Sequence, residues 1–134
     1  MSFVAAVERC LRKYATFEGR ARRSEYWWWV VFAAACSSGG SVIDRVTGLN
    51  EDGRGVVTLL VALVLLVPSL AVTVRRLHDT DRSAWFLVFA VVPLVGPIVL
   101  LVLCVRDGDR VNNVYGPSTK YPWPANTMAP APAP

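Results

Sequence analysis

The chain has 134 residues, enough for one domain, and 54% of them are hydrophobic while only 18% are charged. The mean hydropathy of +0.40 indicates a membrane protein, because a soluble domain carries about a quarter charged residues. The formal net charge of +4 does not indicate a nucleic-acid-binding protein, since the basic residues flank apolar stretches instead of sharing one surface.

Residues 1–14 are predicted to form an amphipathic helix. Its apolar face consists of Phe3, Val7, Cys10, Leu11 and Tyr14, and its polar face of Glu8, Arg9, Arg12 and Lys13. An amphipathic helix close to a transmembrane segment is typical of the membrane interface. The alternative is a helix that packs on its own bundle.

A basic linker leads to the first predicted span, residues 26–43. Ser24 is the expected N-cap, and Glu25 suits the positive end of the helix dipole. Aromatic residues at the entrances of this span and of the third one predict a belt at headgroup level, with a ligand cage as the alternative. The belt comprises Tyr26, Trp27, Trp28 and Trp85.

The small residues at 33–41 predict a helix-packing face. The same region also resembles a lipoprotein signal with Cys36 as the acylated residue, although its amino-terminal part is long for that. A loop with Gly48, Asn50 and Gly53 follows over residues 44–54.

The second predicted span covers residues 56–74 and shows almost no polar face, which argues against a buried helix of a soluble bundle. Pro68 removes one backbone donor and should kink this helix. We expect the hydroxyl of Ser69 or Thr73 to satisfy the carbonyl that Pro68 leaves free.

The third predicted span, residues 84–105, begins after Ser83 as N-cap and contains Pro93, Gly96 and Pro97. A single kinked helix is the expected form, and a re-entrant pair of half-helices is the alternative. The motifs at residues 23–27 and 82–86 share the pattern Arg-Ser-x-aromatic-aromatic, so both helices should enter the bilayer from the same side.

The fold expected is therefore an all-α membrane protein, with three transmembrane helices and an amino-terminal amphipathic interfacial helix. Residues 1–23 form the cytoplasmic segment, 24–105 the membrane domain, and 106–134 a turn-rich and Pro/Ala-rich tail. Nine Lys and Arg precede the first span or lie between the second and third, against five elsewhere. This bias places the amino terminus in the cytoplasm of a multi-pass protein and, with three spans, the tail outside.

Four groups of residues, taken together, resemble the YhaH-type family of bacterial inner-membrane proteins (domain of unknown function 805). They are Gly19-Arg20-x-x-Arg23-x-Glu25-Tyr26-Trp27, Arg75-Arg76-Leu77-His78-Asp79-x-x-Arg82-Ser83-x-Trp85, Pro93-x-x-Gly96 and Asn113-x-Tyr115-Gly116-Pro117. The resemblance covers roughly residues 14–122. It implies a small protein of the bacterial inner membrane, and it implies no activity.

The polar residues before the first and third spans form the candidate site, which we call the charge collar. It comprises Arg20, Arg23, Glu25, Arg75, Arg76, His78, Asp79, Asp81 and Arg82. Arg–carboxylate pairs across helices would clamp the bundle, and surplus arginines would attract anionic lipid headgroups.

Catalysis by His78 with Asp79 is disfavoured, because adjacent side chains need not face each other. Two carboxylates among three arginines make a poor metal site, and three cysteines without C-x-x-C spacing do not indicate zinc. We therefore expect no enzyme, cofactor or metal. A scaffold or interaction protein leads the hypotheses, with membrane lipids and a homo-oligomer as expected partners. A small oligomeric transporter or channel is the alternative, and a lipid-acting enzyme is third.

Overall fold

The computed structural model describes residues 1–49, 55–108 and 110–119. Its elements, in chain order, are α1 (Phe3–Arg12), α2 (Arg23–Val46), α3 (Val56–His78), a 3-10 helix (Ala84–Val91) and α4 (Val95–Val105). Within these ranges every regular element is helical, and one isolated bridge joins Asn113 and Gly116. The expected loop residues Asn50 and Gly53 and the proline-rich tail from residue 120 lie outside the described residues.

The antiparallel hairpin of α2 and α3 is the centre of the fold. At the end far from the charge collar, the Asp44 carboxylate accepts hydrogen bonds from the backbone N–H groups of Val57 (2.8 Å) and Thr58 (2.9 Å). Asp44 therefore belongs to α2 and caps α3 from the neighbouring helix, instead of lying in the predicted loop. Of the predicted small-residue face, Gly40 is buried against Thr58, whereas Gly39 is exposed.

One helix in the described chain, α3, is long and apolar enough to cross a membrane by length and composition. Its most apolar window has a mean hydropathy of 2.7, and only 17% of that window is buried. Such exposure of apolar side chains is typical of a helix in lipid and unlike the core helix of a soluble protein. The exposure of α3 supports the second predicted span, residues 56–74. The spans at residues 26–43 and 84–105 stay predictions.

The two predicted helix caps have different outcomes. The Ser83 hydroxyl accepts a hydrogen bond from the Trp85 N–H at 3.1 Å, so this cap is confirmed. The prediction of Ser24 as a cap is wrong, because α2 already begins at Arg23 and Arg22 occupies the cap position without a side-chain hydrogen bond.

Helix α1 packs on the hairpin. Ala6 and Cys10 are fully buried, and the Phe3 ring meets the Trp28 ring edge-on at 5.6 Å between centroids. Val4 and Leu11 remain exposed, so only part of the apolar face of α1 is covered by the protein itself.

The carbonyl freed by Pro68 is that of Val64, one helical turn earlier. The Tyr14 hydroxyl, which follows α1, donates a hydrogen bond to this carbonyl oxygen. The two hydroxyls expected there act elsewhere: Ser69 accepts from the Trp29 indole N–H at 3.0 Å, and Thr73 donates to the Ser69 carbonyl at 2.7 Å. The expectation for Ser69 and Thr73 is therefore wrong, because a residue from another segment reaches the free carbonyl.

The third apolar stretch is not the single kinked helix expected. The 3-10 helix and α4 are separate, and Leu94 between them has a φ of 68°. The stretch starts beside the end of α3 and returns there, since Arg76 at that end donates to the Cys104 carbonyl at 3.2 Å. Its geometry is that of the re-entrant alternative, because the Pro93 to Pro97 region reverses the chain.

The tail returns to the charge collar as well. Arg20 donates to the Val111 carbonyl at 2.9 Å, and the Asn113 amide donates to the His78 carbonyl at 2.8 Å. Residues 110–119 thus lie at the same end of the hairpin as α2's entrance. A third helix that ran straight through would have placed the tail at the other end of the hairpin, so the observed position favours the re-entrant alternative; the side of the membrane on which the tail lies stays a prediction.

Replacing Tyr14 with Phe should lower stability by about 0.5–1.5 kcal/mol, the net value of one hydrogen bond. The loss should shrink when Pro68 is also replaced with Ala, because residue 68 then regains the N–H that bonds the Val64 carbonyl. Unfolding of the four proteins in a neutral detergent measures this double-mutant cycle. Equal losses in both backgrounds would contradict the role assigned to Tyr14.

Candidate functional site

The charge collar is built on the last turn of α3, which runs on to His78 past the predicted end at residue 74. Cationic side chains suit this turn because the helix dipole is negative there. Arg75 and Arg76, neighbours in sequence, point about 100° apart around the helix axis. One arginine therefore faces α1 and α2, and the other faces α4 and the tail.

The Asp79 carboxylate is the centre of the collar. One oxygen lies 2.8 Å from Nε of Arg20, and the other lies 2.5 Å from a terminal nitrogen of Arg76. Asp79 is only 3% exposed, and both arginines are buried. Arg20 also donates to the Asp79 carbonyl at 3.2 Å, and the Thr119 hydroxyl donates to the carboxylate at 3.3 Å. Three segments of the chain therefore converge on one residue.

A second buried ion pair joins Glu25 of α2 to Arg75 of α3, at 2.6 Å. The Cys10 thiol of α1 lies 3.9 Å from the same Glu25 oxygen. Burial, together with the Glu25 charge, raises the pKa of Cys10 to about 11, so this thiol stays protonated at neutral pH. The pair holds α1, α2 and α3 together without presenting a nucleophile.

Arginines also satisfy the backbone at the end of α4, where helical carbonyl groups lack intrahelical partners. Arg76 donates to the Cys104 carbonyl at 3.2 Å and to the Arg106 carbonyl. Arg23 donates to the Val105 carbonyl at 3.2 Å and forms an ion pair with Asp107 at 2.6 Å. These contacts fix the end of α4 against the entrance of α2.

His78 makes structural contacts. Its Nδ1 lies 3.2 Å from the Gly19 carbonyl oxygen, and its ring stacks on Tyr115 at 3.9 Å with an interplanar angle of 3°. Asp79 is engaged by the two arginines instead. The adjacent side chains of His78 and Asp79 therefore contact different partners. In the described residues, no group of three side chains that could bind a metal ion is found.

The structure brings together six of the nine predicted site residues. Buried in the collar are Arg20, Glu25, Arg75, Arg76, His78 and Asp79. Arg23 lies at the rim, half exposed. Asp81 and Arg82 lie outside it: Asp81 is exposed in a turn with a φ of 55°, and the Arg82 guanidinium sits 5.2 Å from the Phe86 ring centroid.

The predicted aromatic belt is largely on the surface. Trp27 and Trp28 are exposed, Trp85 is 81% exposed, and Tyr26 is half-buried. Trp29, next to them, is the buried member of the run and packs beside Phe32. The exposed rings are available to a lipid surface, as a belt requires.

Several collar residues were missed in the sequence, and all belong to the tail or its approach. They are Asp107, Gly108, Asn113, Tyr115 and Thr119. The motif Asn113-x-Tyr115-Gly116 was recognised as part of the family resemblance, but without a role in the collar. The structure gives a reason for glycine at position 108, because a Cβ there would lie 1.8 Å from the Asp79 carboxylate.

Replacing Asp79 with Ala should destabilise the protein by about 3–5 kcal/mol, because two buried guanidinium groups would lose their carboxylate. Replacing Asp81 with Asn is the control, because asparagine, like aspartate, tolerates the φ of 55° at this position. It removes an exposed carboxylate two residues away and should change stability by less than about 0.5 kcal/mol. Unfolding in neutral detergent and the amount of protein in the membrane report both effects. Similar behaviour of the two variants would refute the central place of Asp79.

A family model described as "Protein of unknown function (DUF805)" matches residues 14–117. The chain is 34% identical over 111 residues to "Inner membrane protein YhaH" of Escherichia coli (strain K12), which covers 82% of this chain and 92% of that protein. It is 41% identical over 112 residues to "Inner membrane protein YhaI" of the same strain, covering 83% of this chain and 92% of the relative. No solved structure matches.

The matched range includes α2, α3, the third apolar stretch and, in the tail, the collar residues Asn113 and Tyr115. The resemblance inferred from the motifs is therefore confirmed. This chain belongs to the DUF805 family of proteins of unknown function, and like these relatives it is a protein of the inner membrane.

Proposed function

We propose that the protein is a membrane-embedded scaffold or interaction module whose charge collar holds its membrane segments in one register. The observation that carries this is the Asp79 carboxylate, which joins Arg20, Arg76 and Thr119 in a buried site. Hydrogen-bonded Arg–carboxylate pairs impose geometry as well as attraction. The carboxylates of Glu25 and Asp79 are both engaged by arginines from other parts of the collar, as a clamp requires.

In the arrangement we propose, α2 and α3 are two spans and the third apolar stretch enters and leaves on the collar side. The eight residues of the 3-10 helix rise about 16 Å, and the eleven of α4 rise about 16 Å, roughly half of a core about 30 Å thick. Arg106 and Arg110 then join the amino-terminal basic residues, and Arg45 and Arg54 remain on the other side. Arginine and lysine are then distributed more unequally between the two sides than with three spans, and this supports a cytoplasmic amino terminus.

The pairing within the collar indicates which arginines would meet anionic lipid. Arg20 and Arg76 share Asp79, Arg75 pairs with Glu25, and Arg23 pairs with Asp107. Arg22 and Arg82 remain outside these ion pairs. Arg82 stands at the entrance of the 3-10 helix beside the exposed Trp85, a combination suited to headgroups of the inner leaflet.

A second candidate, a small oligomeric transporter or channel component, is favoured by the reversal at Pro93 and Leu94. Both residues are exposed in the single chain. Non-helical backbone at membrane depth is tolerated where other protein covers it or where it lines a water-filled cavity. A second copy of this chain would supply either environment.

Replacing His78 with Ala tests the scaffold directly. The variant loses the Tyr115 stack and the contact with Gly19, so the tail should detach and the membrane abundance should fall several-fold. Tyr115→Ala should behave in the same way, because it removes the other half of the stack. Normal abundance and stability of His78→Ala, with a lost ion flux or an altered lipid composition, would favour the transporter or an enzyme.

A topology reporter fused after Pro124 should report a cytoplasmic location, because the tail lies beside the collar. A reporter inserted between the end of α2 at Val46 and the start of α3 at Val56 should report the opposite side and serves as the control. A periplasmic signal from the fusion after Pro124 would restore three full spans and exclude the re-entrant arrangement.

A further inference from the structure

A cavity of about 310 Å³ lies beside the collar, between the entrance of α2 and the tail. Arg22, Arg23 and Ser24 form one side, and Asp79, Gly108 and Thr119 form much of the other. Its volume falls at the lower end of the range of ligand sites, about 300–1,000 Å³. The cavity is large enough for a small polar group and is bounded by segments that the collar fixes.

Arg22 is the arginine of this region that the collar does not use. Its Nε is buried and has no hydrogen-bond partner in the described part of the chain. A buried guanidinium N–H without an acceptor is costly, and the side chain that carries it also borders the cavity. The fork of a guanidinium fits the paired oxygens of phosphate or carboxylate.

The first turn of α2 adds backbone donors to the same cavity. No side chain caps this helix, and its first described intrahelical bond runs from the Tyr26 N–H to the Arg22 carbonyl. The N–H groups before Tyr26 therefore have no intrahelical acceptor. They stand at the positive end of a helix of 24 residues, next to the unpartnered Arg22 nitrogen.

The charge balance favours an anion even though two carboxylates border the cavity. Asp79 is paired with Arg20 and Arg76, and Asp107 is paired with Arg23. Arg22 and Arg23 border the cavity together with these two carboxylates, and Arg20 and Arg76 lie on the other side of Asp79. An anionic ligand would meet a net positive environment in which both carboxylates are already engaged.

We propose that this cavity binds a phosphate group, either in an anionic lipid headgroup or in a free phosphate, with Arg22 as the principal ligand. The proposal deepens the proposed headgroup binding and rests on it for the position of the cavity at the inner leaflet. It assigns that binding to one half-open cavity between α2 and the tail. Arg82 then contacts the lipid surface without being part of this site.

The test uses the full chain in a neutral detergent and measures its unfolding temperature. The probes are inorganic phosphate against chloride at equal ionic strength, and short-chain phosphatidylglycerol against phosphatidylcholine. Arg22→Gln removes the proposed ligand. Arg45→Gln, at the opposite end of the hairpin, makes the same change of charge at an exposed arginine and is the matched control.

Phosphate or phosphatidylglycerol should raise the unfolding temperature of the wild type and of Arg45→Gln by several degrees, and the shift should vanish in Arg22→Gln. A shift with both probes identifies a phosphate site open to free ligands. A shift with phosphatidylglycerol alone identifies the lipid headgroup as the source. No shift with either probe, or an undiminished shift in Arg22→Gln, would overturn the proposal.

Should Arg22→Gln fail to fold, Arg22→Lys takes its place and should reduce the shift, since lysine keeps the charge but loses the fork. An undiminished shift in Arg22→Lys would then count against the site. Failure of this inference is distinct from failure of the scaffold. Ligand shifts that ignore Arg22, beside a strongly destabilised Asp79→Ala, would remove the site and leave the clamp.

Discussion

The structure depends on one buried carboxylate, that of Asp79, held between the guanidinium groups of Arg20 and Arg76. Removing these charges from water is costly, and such a pair contributes little stability beyond what well-packed apolar residues would give. Its consequence is geometric. Arg20 precedes α2, Arg76 ends α3, and both reach onward to carbonyl groups of α4 or the tail, so a shift of any segment would leave a charge buried and unpaired.

At two other places, a side chain from a distant segment also satisfies a polar group that would otherwise have no partner. Pro68 frees the carbonyl of Val64, and Tyr14 from beyond α1 bonds it. The start of α3 lacks a capping side chain of its own, and Asp44 from α2 supplies one. A backbone group without a partner costs most where water is scarce, and at these two places a side chain from elsewhere in the chain supplies the partner. Among the described residues, buried guanidinium nitrogens of Arg22 and Arg75 have no hydrogen-bond partner, and the further site is proposed at Arg22 because this residue lines a cavity.

Much of this fold was predictable because its signals are local. Apolar runs located α2 and α3, Pro93 and Pro97 located the break, and Ser83 was recognised as a cap. Of the collar, the six buried residues were in the predicted set because charged groups next to apolar runs are conspicuous. Asp81 and Arg82 were included for the same reason, yet they face solvent, since adjacency in sequence does not determine which side a turn residue faces.

The sequence by itself determined that this is a helical membrane protein with a polar cluster at one end, because hydropathy, aromatic placement and the Arg/Lys bias act through local composition. The inner membrane was implied by the motifs shared with the family and by the relatives that carry them. Only the tertiary structure decided that the third apolar stretch turns back and that the tail closes over Asp79. Those outcomes depend on pairings between residues 20, 79 and 111, far apart in the chain. No local pattern encodes which of several arginines will bury itself against which carboxylate, because that choice follows from how all the segments pack together.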